Sequence, residues 1–275
     1  RVLRPAPTAP RAPTPKAFPP EAASHTYSGE VFRRQEDDPD RANEYMQVGF
    51  ELFDRTAPEA ADARVFCLIF NALKPLGLRA ATGDIGLLMA AVGGLRTTEA
   101  RKKALLRHIW RPRRFRALMD RYSGRVPVPE SRAALLAKAE PMAGAGPMIG
   151  LRSEAEIMSR IKALKEDAQV APISENEVAL IDAILDVRET SDNALERLRD
   201  IAVDMGAIQP AVDRLARRLE AMSGHGIDIT ALDFEASYGR TNMEYYDGFV
   251  FGFYAEKRPD LPPVASGGRY DALTR

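Results

Sequence analysis

Two short stretches of this 275-residue chain carry polar groups placed as a small-molecule site would need them. Side chains alternate faces along a strand. If residues 44–53 (EYMQVGFELF) form a strand, Tyr45, Gln47, Gly49, Glu51 and Phe53 share one face. The other face, with Met46, Val48, Phe50 and Leu52, is an unbroken apolar set that is expected to be core. Gly49 weakens the strand but leaves space above its backbone. A second stretch repeats the design: Phe249, Phe251 and Phe253 line one face, and Tyr246, Gly248, Val250, Gly252 and Tyr254 the other. If the two strands are neighbours, their glycine-cleared faces form a concave site with Gln47, Glu51 and Tyr246 as its polar groups. Mostly apolar walls with few directed polar groups suit a small molecule. The alternative is that Gln47 and Glu51 face bulk water on a one-sided sheet.

Other chemistry has little support. Cys67 is the single cysteine and sits in an apolar helical run, which predicts a buried thiol. One thiol without a disulfide framework fits a reducing, cytoplasmic setting. His25, His108 and His225 are scattered, so no metal-ligand spacing and no metal site is expected, and no cofactor motif is present. The segment RHIWRPRRFR (107–116) is basic with the chain's one Trp; it could meet phosphates, a solvated helix end or a subunit contact being the blander readings. Lys+Arg and Asp+Glu are both 39, so the net charge is zero, which argues against holding nucleic acid by bulk charge. No apolar run is long enough to span a bilayer.

These stretches need elements to hold them. The first twenty residues contain seven prolines and read as an extended or poorly ordered start, the first 24 residues being set apart. The chain begins without Met, which reads as processed or trimmed. Residues 27–35 and 44–53 predict a hairpin. Residues 59–78 predict a helix ending near Gly77, followed by a short strand over 78–82 and a helix opened by Gly83-Asp84. From about 96 to 224 the apolar spacing is helical, with Ser153, Ser174 and Ser191 or Asp192 as N-caps and Glu156 and Glu177 at capping-box spacing. After His225, IDITALDFEAS and YYDGFVFGFY read as strands and SGGRYDAL as a turn. The expected fold class is α+β, one mixed, mostly antiparallel sheet flanked by helices in a single domain over 1–275, with a helical insert at about 96–224.

Four segments, in order, resemble the histidyl branch of class II aminoacyl-tRNA synthetases. GEVFRRQ (29–35) and EYMQVGFELFD (44–54) look like the two strands of motif 2, with Arg33 and Gln47 fourteen residues apart. GRTNMEYYDGFVFGFY (239–254) is similar to a histidine-specific RGLDYYTG stretch, SGGRYDAL (266–273) to a GGRYDGL turn, and LRPAPT (3–8) to an LRPxxT loop. The set looks most like the catalytically inert paralogue of that branch, the regulatory subunit of ATP phosphoribosyltransferase. About 150 helical residues separate the motifs, and nothing after GGRYDAL matches motif 3 or an anticodon-binding domain.

The resemblance implies roles. Arg33 would lie near carboxylate or phosphate oxygens, Gln47 near an α-amino group, and Arg240 near a carboxylate. Glu51 and Tyr246 would read the two imidazole nitrogens of free histidine. Thr8, Tyr245 and Gly268 would belong to the same site. A carboxylate and a phenol can hydrogen-bond opposite ends of an imidazole. Two departures stand out: Ala6 replaces the acidic residue of the loop, and Arg240 is one residue farther from the tyrosine pair. The resemblance further implies no catalysis by this chain and no cofactor. Its partner would be a short catalytic ATP phosphoribosyltransferase subunit in a hetero-oligomer, a hetero-octamer in the family, with self-association.

Overall fold

A computed structural model of the chain describes residues 22–32, 42–240 and 246–271. Strands β1 (Ala23–Phe32) and β2 (Glu44–Phe53) form an antiparallel hairpin in which His25 faces Glu51, Tyr27 faces Gly49 and Gly29 faces Gln47. Helix α1 (Pro58–Leu73) starts with Pro at its first turn, where no backbone N–H is needed. A short 3-10 turn comes next, and Gly77 ends it in the left-handed region at φ 59°. Strand β3 (Arg79–Asp84) leads straight into α2 (Ile85–Gly94), whose N-cap Asp84 accepts a hydrogen bond from the Gly86 amide at 2.8 Å.

The middle of the chain is helical: α3 (Glu99–Arg107), α4 (Pro112–Tyr122), α5 (Glu130–Ala137), α6 (Glu154–Ala168), α7 (Glu175–Leu185), α8 (Ser191–Asp204) and α9 (Gln209–Gly224). Ser153 and Ser174 cap α6 and α7 in full capping boxes with Glu156 and Glu177. The residue at the N-cap of α8 is Thr190, one position before the expected pair. The helical run is broken by β4 (Arg188–Thr190), which pairs with β5 (Asp233–Glu235). Strands β6 (Phe249–Tyr254) and β7 (Ala265–Gly268) complete a sheet of order β4-β5-β3-β6-β7. Its pairs are antiparallel except β3 with β5. The residues expected as a plain turn, SGGR, therefore begin as a strand against β6.

The Phe249, Phe251 and Phe253 row is core, as its alternation predicts. All three rings meet Phe66 of α1, with centroids 6.1, 5.4 and 5.5 Å apart. Cys67 is buried beside them. The second apolar row behaves differently. Met46 is 62 % and Val48 76 % exposed, so the expected core face of β2 is open along much of its length. The hairpin is a separate two-stranded sheet, and α1 packs near the Phe53 end of it. The expectation of one sheet gives way to two among the described residues.

Candidate functional site

The hairpin and the larger sheet meet across a cavity of about 410 Å³. The end of β2 and the turn after it supply Glu51, Asp54 and Arg55, and α1 supplies Asp62. Strand β6 supplies Phe249 and Phe251, and the C-terminal end of β7 with the three residues beyond it supplies Gly268, Arg269, Tyr270 and Asp271. Its lining carries the carboxylates of Glu51, Asp54, Asp62 and Asp271 and the guanidiniums of Arg55 and Arg269, so it can offer both acceptors and donors to a polar ligand. Asp54 is shaped by its own turn: the Thr56 amide and hydroxyl, each at 2.8 Å, and the Ala57 amide hold its carboxyl below the usual range.

Two lining residues, Asp62 and Arg269, belong to a buried chain of charges. Arg269 donates from Nε and Nη2 to the two oxygens of Asp62 at 3.2 and 2.8 Å. Arg218 of α9 donates from Nη1 to Asp62 at 3.0 Å and from Nη2 to Asp84 at 2.5 Å. Its guanidinium also lies 4.4 Å above the Phe249 ring. Sequence reasoning alone misses Asp62, Arg218 and Arg269. A signal for them exists: Asp62 is four residues before Phe66 on the buried stripe of α1, where a carboxylate needs a cation.

The structure brings some expected residues together and separates others. Glu51 and Gly268 both line the cavity. Tyr246 is buried behind Gly268, close enough that a Cβ there would come within 2.9 Å of its ring. Its side chain belongs to the opposite side of the sheet from the Phe row, with Tyr238, Val250 and Tyr270. β2 and β6 are not paired; β6 lies between β3 and β7, so the expected side-by-side arrangement is corrected to a meeting across a cavity. Gln47 donates to the Tyr27 hydroxyl at 2.9 Å and lies outside the cavity lining.

The glycine-cleared faces are filled by the chain itself. The Tyr27 ring occupies the space over Gly49, and the Tyr238 hydroxyl that over Gly252. Tyr238 hydrogen-bonds Tyr254 at 2.7 Å, and burial together with that bond raises its phenol well above the usual range. Arg240 is turned to another part of the molecule. It is 5 % exposed, donates from Nε to the Ile109 carbonyl at 2.9 Å and stacks 5.0 Å from the Phe115 ring centroid. Burial, with the Arg116 guanidinium nearby, lowers it to about 10. Arg33, Thr8 and Tyr245, with Ala6, lie outside the described residues.

The mostly antiparallel sheet, the motif-2-like hairpin and the helices around them are a class II aminoacyl-tRNA synthetase-like fold. Comparison with known proteins narrows this. The histidyl-tRNA synthetase family model matches residues 15–144 and 150–275, and the chain belongs to that family. A relative from Mesorhizobium japonicum, named ATP phosphoribosyltransferase regulatory subunit, is 28% identical over 269 residues, spanning 90% of this chain and 70% of the relative. Among solved structures, a Bacillus halodurans protein described as an ATP phosphoribosyltransferase regulatory subunit/histidyl-tRNA synthetase superposes with TM-score 0.56 at 21% identity, over 94% of this chain and 54% of its own. The histidyl-tRNA synthetase of Nostoc sp. PCC 7120 superposes with TM-score 0.52 at 14% identity, over 90% and 47%. The chain thus spans about half the length of these solved relatives.

Proposed function

We propose that this chain is a non-catalytic regulatory subunit of ATP phosphoribosyltransferase, binding free histidine in the Glu51–Gly268 cavity as the end-product signal of histidine biosynthesis. The observation that carries the reading is a cavity lined by Glu51 and other charged side chains in a synthetase-like fold whose 28%-identical relative bears that name over 90% of the chain. Glu51 is the acceptor for an imidazole or ammonium N–H. Gly268 and Tyr270 line the cavity with it, and Arg33 and Thr8 are the further contacts that the family resemblance implies. The partner is a separate, short catalytic subunit in a hetero-oligomer, a hetero-octamer by family analogy. Histidine shifts that complex to an inhibited arrangement only if it binds the two arrangements with different affinity.

Titration calorimetry with histidine, alone and with the catalytic subunit, tests this. Glu51→Gln should weaken binding by about 1–3 kcal/mol, the scale of a lost charged hydrogen bond. Unchanged affinity removes Glu51 from the site, and no heat at millimolar histidine with the partner present leaves the chain a scaffold. The likeness to the Nostoc synthetase favours a second reading, a fragment of a synthetase catalytic domain. That reading requires histidine-dependent exchange of pyrophosphate into ATP, which the regulatory reading excludes.

A further inference from the structure

Arg240, the residue expected to meet a carboxylate, is turned to the Ile109 carbonyl and the Phe115 ring, which leaves that role in the Glu51 cavity unfilled. An amino acid brings a carboxylate as well as an ammonium group, and a carboxylate leaving water needs donors to replace it. Two guanidiniums line the cavity, those of Arg55 and Arg269. Arg55 is exposed on the turn after β2. Arg269 is fixed along its whole length.

The Arg269 amide donates to the Phe249 carbonyl at 2.8 Å, and the Arg269 carbonyl accepts from the Asp247 amide at 3.0 Å. The stem of the side chain crosses Gly248, where a Cβ would lie 3.1 Å from the Arg269 Cδ. The head is held by Asp62, which takes Nε and Nη2, and Asp62 is itself held by Arg218. A guanidinium has five N–H donors, and Asp62 occupies only the edge formed by Nε and Nη2. The other edge, Nη1 with the second hydrogen of Nη2, is left over. Nη1 makes no hydrogen bond among the described residues; the Asp271 carboxylate is 4.0 Å away, beyond hydrogen-bond distance. The Arg269 side chain is 16 % exposed, and its Nη1, unlike the Nη2 of Arg240, is not a buried atom.

We propose that Arg269 is the carboxylate-reading residue of the Glu51 cavity, its Nη1–Nη2 edge taking the α-carboxylate of an amino acid whose ammonium or imidazole meets Glu51. The inference rests on the histidine reading and adds which feature of the ligand the cavity selects. Glu51, Asp54, Asp62 and Asp271 alone would favour a plain cation. A forked donor held in place by Asp62 makes an amino acid a better fit than the matching amine or alcohol, because its geometry is set before the ligand arrives.

Calorimetry of the full chain with L-histidine, L-histidinol and histamine at matched ionic strength, with and without the catalytic subunit, tests this. Histidinol carries an alcohol in place of the carboxylate, and histamine lacks the group. Histidine should bind about tenfold or more tighter than either. Arg269→Gln should remove that preference by weakening histidine alone. Arg269→Lys keeps a cation beside Asp62 but loses the fork, so the preference should fall there too. In Arg55→Gln the three affinities should move together and their ratio hold. Arg55 is exposed, so its variant keeps the test decisive if neither Arg269 variant folds. Loss of the preference in Arg55→Gln, or its full retention in folded Arg269→Gln, overturns the proposal. Equal binding of the three ligands by the parent chain sinks this inference alone, whereas binding of none of them sinks it together with the histidine reading.

Discussion

At the scale of single residues, the glycines of β2 and β6 separate what a sequence shows from what it withholds. The alternation places Gly49 and Gly252 correctly on faces that need room above the backbone. It does not say what uses the room, because the occupants come from elsewhere: Tyr27 across the hairpin, and Tyr238 from the segment before β6. A Cβ at Gly252 would collide with the Tyr238 hydroxyl, while its next neighbours, Tyr254 and the rest of the Tyr238 ring, stay beyond 3 Å. Gly252→Ala should therefore cost about 1–3 kcal/mol of stability, as overpacking does. Tyr238→Phe alone should cost about 1 kcal/mol through loss of the bond to Tyr254. The double variant should be less destabilised than the sum of the two, since removing the hydroxyl vacates the space the new methyl needs. Denaturant unfolding of the four proteins measures this, and additive effects would refute the steric account. Glu51 was legible as a polar residue of β2, and it lines the cavity together with Phe50, Leu52 and Phe53, so both faces of the strand end reach it. Arg240 was legible by motif alone, and the motif did not carry its direction, which its stacking on Phe115 decides.

At the scale of elements, local signals were dependable where the element is closed by its own residues. The Ser174–Glu177 box is such a case: Ser174 Oγ accepts from the Glu177 amide at 3.3 Å, and Glu177 accepts the Ser174 amide at 3.2 Å. Ser174→Ala should cost about 1 kcal/mol. The box also predicts a pH dependence. Burial alone would push the Glu177 carboxyl up, but the Arg96 amide and the Ser174 hydroxyl and amide outweigh it and hold the group below its ordinary value of 4.5. A depressed carboxyl contributes stability that is complete above the unfolded value and lost as pH falls through the folded one. The gap in melting temperature between the parent chain and Glu177→Gln should thus be widest above pH 4.5 and close as the pH drops below it. A gap that widens in acid would contradict this. Elements closed by distant partners were less legible. The three-residue strands β4 and β5 are too short for periodicity; β4 exists because β5 pairs with it, and β5 is held between β4 and β3. The apolar row of β2 was legible as a row but not as to its cover, since what packs on a strand face is a tertiary fact.

At the scale of the whole molecule, the charge chain Arg269–Asp62–Arg218–Asp84 joins parts of the sequence about 200 positions apart: α1, the end of β3, α9 and the end of β7. Two of its members, Asp62 and Arg269, line the Glu51 cavity, so the network that ties these parts together also sets part of the cavity wall. Arg218 is the node. It is 2 % exposed and shared by two carboxylates, and Asp84 in turn caps α2. Its removal would leave two buried carboxylates with less compensation, and breaking one side of a buried pair typically costs about 3–5 kcal/mol. Arg218→Met, which keeps much of the volume over Phe249, should lose stability on that scale. Arg217→Met, one position away at an exposed ion pair with Glu59, should lose under about 1 kcal/mol. The two variants differ in burial and not in formal charge, so their comparison isolates the node from a general effect of removing a cation. Equal losses in denaturant unfolding would show that the network adds nothing beyond its net charge. If Arg218→Met folds, Arg269 has Asp62 to itself, the β7 side of the cavity can shift, and histidine affinity should fall with stability. In the Arg217→Met chain, affinity should stay at the parent value.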